Sequence, residues 1–268
     1  MNKIQALVAD SPRYTLHSHT QFCDGRATMA EFAAAAVDAG FTAYGFSPHS
    51  PVPIESPCNM SLTDVPLYLD EAMRLRLLYR DRIKIFTSME IDYLGSDWGP
   101  ANKYFQTLPL DYRIGSVHFI SSQSGDLVDV DGRFENFRRK MAENFNSDIR
   151  YVVDSFYDRS EAMILAGGFD IIGHFDKIGH NASHYAPGIE HEPWYKQRID
   201  RIIRLIKDSG ITVEINTKSW DDHHRMFPSV DIIPHLKSAE IPMIVNSDAH
   251  YTDKIDAARQ VALDIIKS

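Results

Sequence analysis

The chain is poor in three features that often declare a protein's environment. It has two cysteines, Cys23 and Cys58, in 268 residues, which excludes a disulfide framework and suits a reducing compartment with both thiols free. No apolar run approaches the roughly eighteen residues of a membrane span, and Met1 to Asp10 lacks a basic stretch followed by an apolar one, so no secretory leader is expected. Cations are also short. The 28 Lys and Arg against 37 Asp and Glu leave a net charge of -9, which argues against a phosphate-backbone surface and hence against nucleic acid or an anionic membrane as partner. The expected setting is cytoplasmic. No repeat, low-complexity tract or linker interrupts the chain, so one domain over 1–268 is expected, and 44% hydrophobic residues suffice for a sizeable core.

What is present is an alternation of short β-like runs and helical patterns, which favours an α/β architecture with a parallel sheet and crossover helices. Seven strands can be placed, near Tyr14 to His17, Ala43 to Ser47, Ile83 to Glu90, Tyr112 to His118, Phe169 to His174, Thr212 to Asn216 and Met243 to Asn246. Between them, Thr28-Met29-Ala30-Glu31 has capping-box spacing and opens an Ala-rich helix that stops at Gly40. Helical spacing of apolar residues predicts further helices over Val65 to Arg80, Ile149 to Leu165, Tyr195 to Lys207 and Asp256 to Ile266. Two connections, Pro48 to Thr63 and Phe175 to Pro193, read as long loops of the kind that form lids or binding surfaces.

Chemistry collects at the strand ends. His17 and His19 are two residues apart, so on a strand they face the same side and can chelate one centre, with Asp24 close behind. His49 follows the second strand, Glu90 ends the third, His118 ends the fourth, His174 ends the fifth, and Asp248 and His250 follow the seventh. In a closed βα barrel these ends converge on one face, so nine potential ligands share one basin and more than one ion is implied. Imidazoles with a few carboxylates suit zinc, manganese or iron better than magnesium or calcium. The other six histidines, His180, His184, His191, His223, His224 and His235, fall in loops or helices and read as surface residues.

The ordered motifs HSH (17 to 19), CDG (23 to 25), SPHS (47 to 50), MEIDY (89 to 93), IGSVH (114 to 118), GHFD (173 to 176) and NSDAH (246 to 250) resemble the PHP superfamily, and within it the monofunctional histidinol-phosphate phosphatases. The resemblance covers nearly the whole chain. It implies a distorted (β/α)7 barrel and a site of two or three divalent ions. His17, His19, Glu90 and Asp248 would hold the first ion, with Glu90 bridging to a second completed by His118 and His174. Asp24, His49 and His250 would hold a third.

The implied reaction is hydrolysis of L-histidinol phosphate, a small-molecule monoester, by in-line attack of hydroxide generated at the metals. Glu90, His19 and Asp248 are the residues assigned to catalysis, with Asp248 or a metal-bound water as the candidate proton shuttle. Lys177, Lys218 and Arg225 are candidates for the phosphate, and Asn216 for a hydrogen bond to substrate. Asp92, Tyr93, Asp129, Asp131 and Trp98 are conceivable contacts to the imidazole and ammonium. Two rivals are a PHP phosphoesterase acting on nucleotides or nucleic-acid ends, which would need a basic track that is lacking, and a non-catalytic barrel that keeps metals for structure. Nothing in the sequence speaks to oligomeric state.

Overall fold

A computed structural model describes residues 2–268. Its strands are short and mostly buried: β1 (Tyr14–Thr15), β2 (Ala43–Phe46), β3 (Lys84–Thr87), β4 (Glu90–Asp92), β5 (Ile114–Ser116), β6 (Phe119–Ser121), β7 (Leu127–Asp129), β8 (Ile171–Ile172), β9 (Thr212–Asn216) and β10 (Met243–Asn246). One parallel sheet runs β1-β2-β3 and a second runs β10-β9-β8-β5-β4, while β6 and β7 form an antiparallel hairpin.

The two parallel arcs close on each other. At one seam His19 N donates to Ala249 O at 2.9 Å, and at the other Glu90 N donates to Pro48 O and Ser50 N to Glu90 O at 3.1 and 2.8 Å. The predicted third strand is two pieces: the chain turns at Ser88 and Met89, so β3 pairs with β2 in one arc and β4 with β5 in the other. Counted as one stave, β3 and β4 complete a ring of seven, the distorted (β/α)7 barrel expected. The break puts the Glu90 carboxylate at the seam.

Helices pack outside this ring for local reasons. Thr28 Oγ1 accepts from Glu31 N while Glu31 Oε2 accepts from Thr28 N, so Met29–Asp38 starts with both ends of its capping box made. Pro193 opens Pro193–Ser209, and Gly210, at φ 70°, closes it in the left-handed region that glycine adopts without strain. The N-terminal helix Lys3–Val8 places Ile4 against Leu16, Tyr112, Ile114, Ile171 and Ile244 in an apolar plug within the barrel. Asn2 Nδ2 donates to Thr212 Oγ1 at 2.7 Å, anchoring that helix where β9 begins, at the N-terminal ends of the strands. The opposite mouth is left to polar groups.

The segment Phe175 to Pro193, expected as a loop, contains the helix Ile178–Tyr185 and a 3-10 turn at Ile189–His191. Pro48 to Thr63 is irregular, as expected. Among the described residues no helix is long and apolar enough to cross a membrane.

Candidate metal centre

Glu90 is the hub of the mouth. Its Oε1 accepts from Ser116 Oγ at 2.7 Å and lies 2.8 Å from His174 Nε2. Its Oε2 lies 3.1 Å from His49 Nδ1, 3.3 Å from His17 Nε2 and 3.5 Å from His19 Nε2. Asp248 approaches from the other side, with Oδ1 2.8 Å from His19 Nε2 and 3.7 Å from His17 Nε2. Asp24 faces His19 Nδ1 at 3.4 Å and His250 Nε2 at 3.3 Å. His118 Nε2 lies 3.6 Å from Glu90 Oε1, so the nine residues picked from the strand ends are brought together in one cluster.

Local backbone geometry serves this convergence. His174 and Asp248 have φ of 22° and 48°, values costly for residues with a Cβ, and the strain turns both side chains at strand ends toward the centre. Gly173 precedes His174 where an added Cβ would come within 2.5 Å of Ser116 Oγ, the group that holds Glu90.

A second set of carboxylates aims the histidines. His17 Nδ1 is 2.7 Å from Glu214 Oε1, and His118 Nδ1 is 2.7 Å from Asp92 Oδ1, so in both rings Nε2 points inward. Glu214 also accepts from His174 N, Asn216 Nδ2 and Asn246 Nδ2 at 3.1, 3.0 and 2.9 Å, which saturates a fully buried carboxylate. Sequence reasoning passed over Glu214, although it lies between Val213 and Ile215 on the buried strand β9, two residues from Asn216 and on the same side.

Seven buried polar atoms here have no hydrogen-bond partner: His17 Nε2, His19 Nε2, His118 Nε2, His49 Nδ1, Asp24 Oδ1, Glu90 Oε2 and Asp248 Oδ1. Buried groups are nearly always satisfied, so seven orphans aimed at one centre fit positive ions. Three groups bring their donor atoms within 4.8 Å of one another: His17, His19 and Asp248; Glu90, His118 and His174; and His19, Asp24, His49 and His250. A fourth, His49, Asp92 and His118, contains the carboxylate already bonded to His118 Nδ1. The nitrogen-rich donor set fits divalent transition metals.

Electrostatics agree. Burial pushes His17 down, but the carboxylates of Glu214, Asp248 and Glu90 overcome it and carry the ring up to about 10. Burial is likewise outweighed at His118, which Asp92 and Glu90 raise to about 9. Burial would raise Glu90, yet His17, His49 and His118 hold it well below the carboxylate range. A cavity of about 610 Å³ opens over the cluster.

The substrate candidates divide. Lys177 and Lys218 line the cavity: Lys177 Nζ sits 2.7 Å from Asp131, and Lys218 Nζ sits 3.6 Å from Asp248 Oδ2 and 3.2 Å from His250 Nε2. Asp129 and Asp131 line it too. Arg225 is outside that lining, because Glu190 takes its guanidinium in two bonds of 2.8 Å and Asp176 in one of 3.1 Å. Asn216 is fully buried and spends its amide on Glu214 and Asp248 Oδ2 at 3.0 and 3.1 Å, so it orients Asp248 from behind. Asp92 is buried behind His118. Tyr93 packs in the core, and Trp98 stacks on Tyr104 and donates to Pro51 O. Of the six histidines read as surface, five are exposed and His180 is half-buried.

Residues 15–218 match the model of the PHP domain. The "Probable histidinol-phosphatase" of Deinococcus radiodurans is 25% identical over 257 residues, 91% of each chain. The histidinol-phosphatase of Bacillus subtilis is 23% identical over 273 residues, 92% of this chain and 97% of the relative. Among solved structures, the histidinol phosphate phosphatase of Lactococcus lactis, complexed with zinc, L-histidinol and phosphate, superposes with a TM-score of 0.69 at 19% identity, over 95% of this chain and 92% of that one. That likeness extends to the fold.

Proposed function

This chain belongs to the PHP domain family, and from that premise we propose that it hydrolyses L-histidinol phosphate to L-histidinol and phosphate at a centre of two or three divalent ions. The observation that carries the proposal is the set of seven unpartnered donor atoms around Glu90, open to a cavity whose wall holds Lys177 and Lys218. The named activity of relatives that align over nine-tenths of the chain supports the choice of substrate.

In this reading His17, His19 and Asp248 would hold one ion, Glu90, His118 and His174 a second, and Asp24, His49 and His250 a third, with Glu90 shared between the first two. When bound, such ions lower the pKa of water to give hydroxide near neutral pH and neutralise charge on the phosphoryl oxygens. Lys177 and Lys218 meet the remaining phosphate charge from the cavity wall. Asp248 Oδ2, which Asn216 Nδ2 positions at 3.1 Å, is placed as the group that takes the proton released by the attacking water and passes it to the leaving oxygen. Glu214 and Asp92 fix the His17 and His118 rings so that no reorientation is needed during the reaction.

Phosphate release from L-histidinol phosphate, measured against nucleotide and sugar phosphates with metal-loaded wild type, His17→Ala and Glu90→Gln, tests this. A preference for histidinol phosphate that both variants lose is expected. Equal or faster turnover of a nucleotide would keep the phosphoesterase and remove the substrate assignment, and no turnover of any monoester at full metal loading would leave a non-catalytic barrel.

A further inference from the structure

A second hollow, of about 560 Å³, adjoins the cavity over the metal centre and shares Asp131, Gly132, Lys177 and Lys218 with it. Its far wall is made of rings. His180 and His184 come from the helix Ile178–Tyr185, which follows β8, and His223 from the helix Trp220–His223, which follows β9. The His180 ring centroid lies 4.6 Å from that of His184 and 4.7 Å from that of His223. Phe134 stands 5.5 Å from His184, and Phe227 meets His180 edge-on at 6.3 Å. Rings from four separate segments converge here, which a scatter of surface histidines would not do.

These histidines are unlike the ones over the barrel. None belongs to a group with metal-ligating geometry. His184 Nδ1 is engaged by His180 O at 2.8 Å, which fixes its ring. Burial, then His184, His223 and Arg225, push His180 down to about 4, so it is neutral at physiological pH and offers one donor and one acceptor nitrogen. A wall of rings with the neutral His180 at its centre, beside two lysines and a carboxylate, suits a ligand with an anion at one end, an ammonium in the middle and a polar aromatic ring at the other.

We propose that this hollow binds the imidazole ring of the substrate, so that His180, His184 and His223 select an imidazole-bearing phosphate monoester while the metal centre takes its phosphate. The inference rests on the reading of the chain as a histidinol-phosphate phosphatase. With the phosphate between Lys177 and Lys218, the leaving-group carbon chain crosses the shared wall, where the Asp131 carboxylate faces the ammonium. The imidazole then meets the ring wall, where it stacks and exchanges hydrogen bonds with a neutral partner. The rest of the metal cavity's lining carries Glu55, Arg139, Lys140 and Glu143, with Phe119 as its aromatic ring besides the histidines of the metal centre.

The test compares kcat/KM for L-histidinol phosphate with that for O-phosphoethanolamine, which keeps the ammonium and lacks the ring, in the zinc-loaded full chain and its His180→Ala and His223→Ala variants. The ratio of the two values falls about tenfold or more in each variant, mainly through KM for histidinol phosphate. His223 is exposed, so His223→Ala reads binding without disturbing the core. A wild-type ratio near one overturns the function and the subsite together. A large wild-type ratio that survives both substitutions overturns the subsite alone. Inhibition of 4-nitrophenyl phosphate hydrolysis by L-histidinol gives a second reading: its inhibition constant rises in the same variants, and an unchanged constant contradicts the proposal.

Discussion

Two clusters of histidine stand within one mouth of this barrel, and they differ in what lies behind each ring. Over the strands, His17 and His118 are buried and each has a carboxylate on its outer nitrogen, Glu214 and Asp92. At the rim, His184 has a backbone carbonyl instead, and His180 has other imidazoles beside it. The same side chain is therefore driven in opposite directions, up to about 10 at His17 and down to about 4 at His180. A carboxylate behind the ring makes a stronger electron donor toward a cation, whereas burial among like neighbours leaves the His180 ring neutral. A carboxylate on the far nitrogen lets a buried histidine rise where burial alone would lower it.

The largest effect is expected where both halves of the metal cluster meet. Glu90→Gln should abolish phosphate release and lower bound metal by more than the roughly hundredfold that outer partners reach, read by phosphate assay and elemental analysis. Glu214→Gln and Asp92→Asn remove the carboxylates that set the two clusters apart, and each should weaken metal affinity by roughly ten- to a hundredfold, measured by competition with a chelator. Affinity unchanged in both would break the comparison.

Acidity gives a smaller and directional test. His17 and His118 are raised above the ordinary histidine value of about 6.5, so in the metal-free protein their contribution to stability is fully present below that pH and is lost as pH rises through about 9 and 10. Metal binding must displace those protons, so affinity rises over the same window. Thermal unfolding of stripped and zinc-loaded protein should therefore diverge as pH increases from neutral. Parallel curves would contradict the raised values. The smallest effect belongs to the rim: His184→Ala, at an exposed position, should change stability by no more than about 0.5 kcal/mol in denaturant titration and leave metal content intact.

Much of the barrel was legible because its staves are short apolar runs with turn residues between them. The strand predicted over Thr212 to Asn216 has those bounds in the structure. The break at Ser88 and Met89 was not, since strand propensity does not report a change of partner. The helix Ile178–Tyr185, with sequence IGHNASHY, has too few apolar residues for a helical stripe, and Phe134–Asn144 buries only Phe137 and Met141. Ligand candidates stood out because histidine is unusual at a strand end. Glu214 did not, because a glutamate in a strand ordinarily faces water and only the closed ring buries it. Arg225 looked free in the sequence, and its partners Glu190 and Asp176 lie in a segment whose fold gave no sequence signal.

Phosphate release from L-histidinol phosphate by chelator-stripped protein, followed as zinc is added back, tests the central claim most directly. The account predicts negligible release without metal and full recovery as the carboxylate-backed cluster fills with two or three ions. Release undiminished by stripping, or a filled site that releases no phosphate, would contradict it.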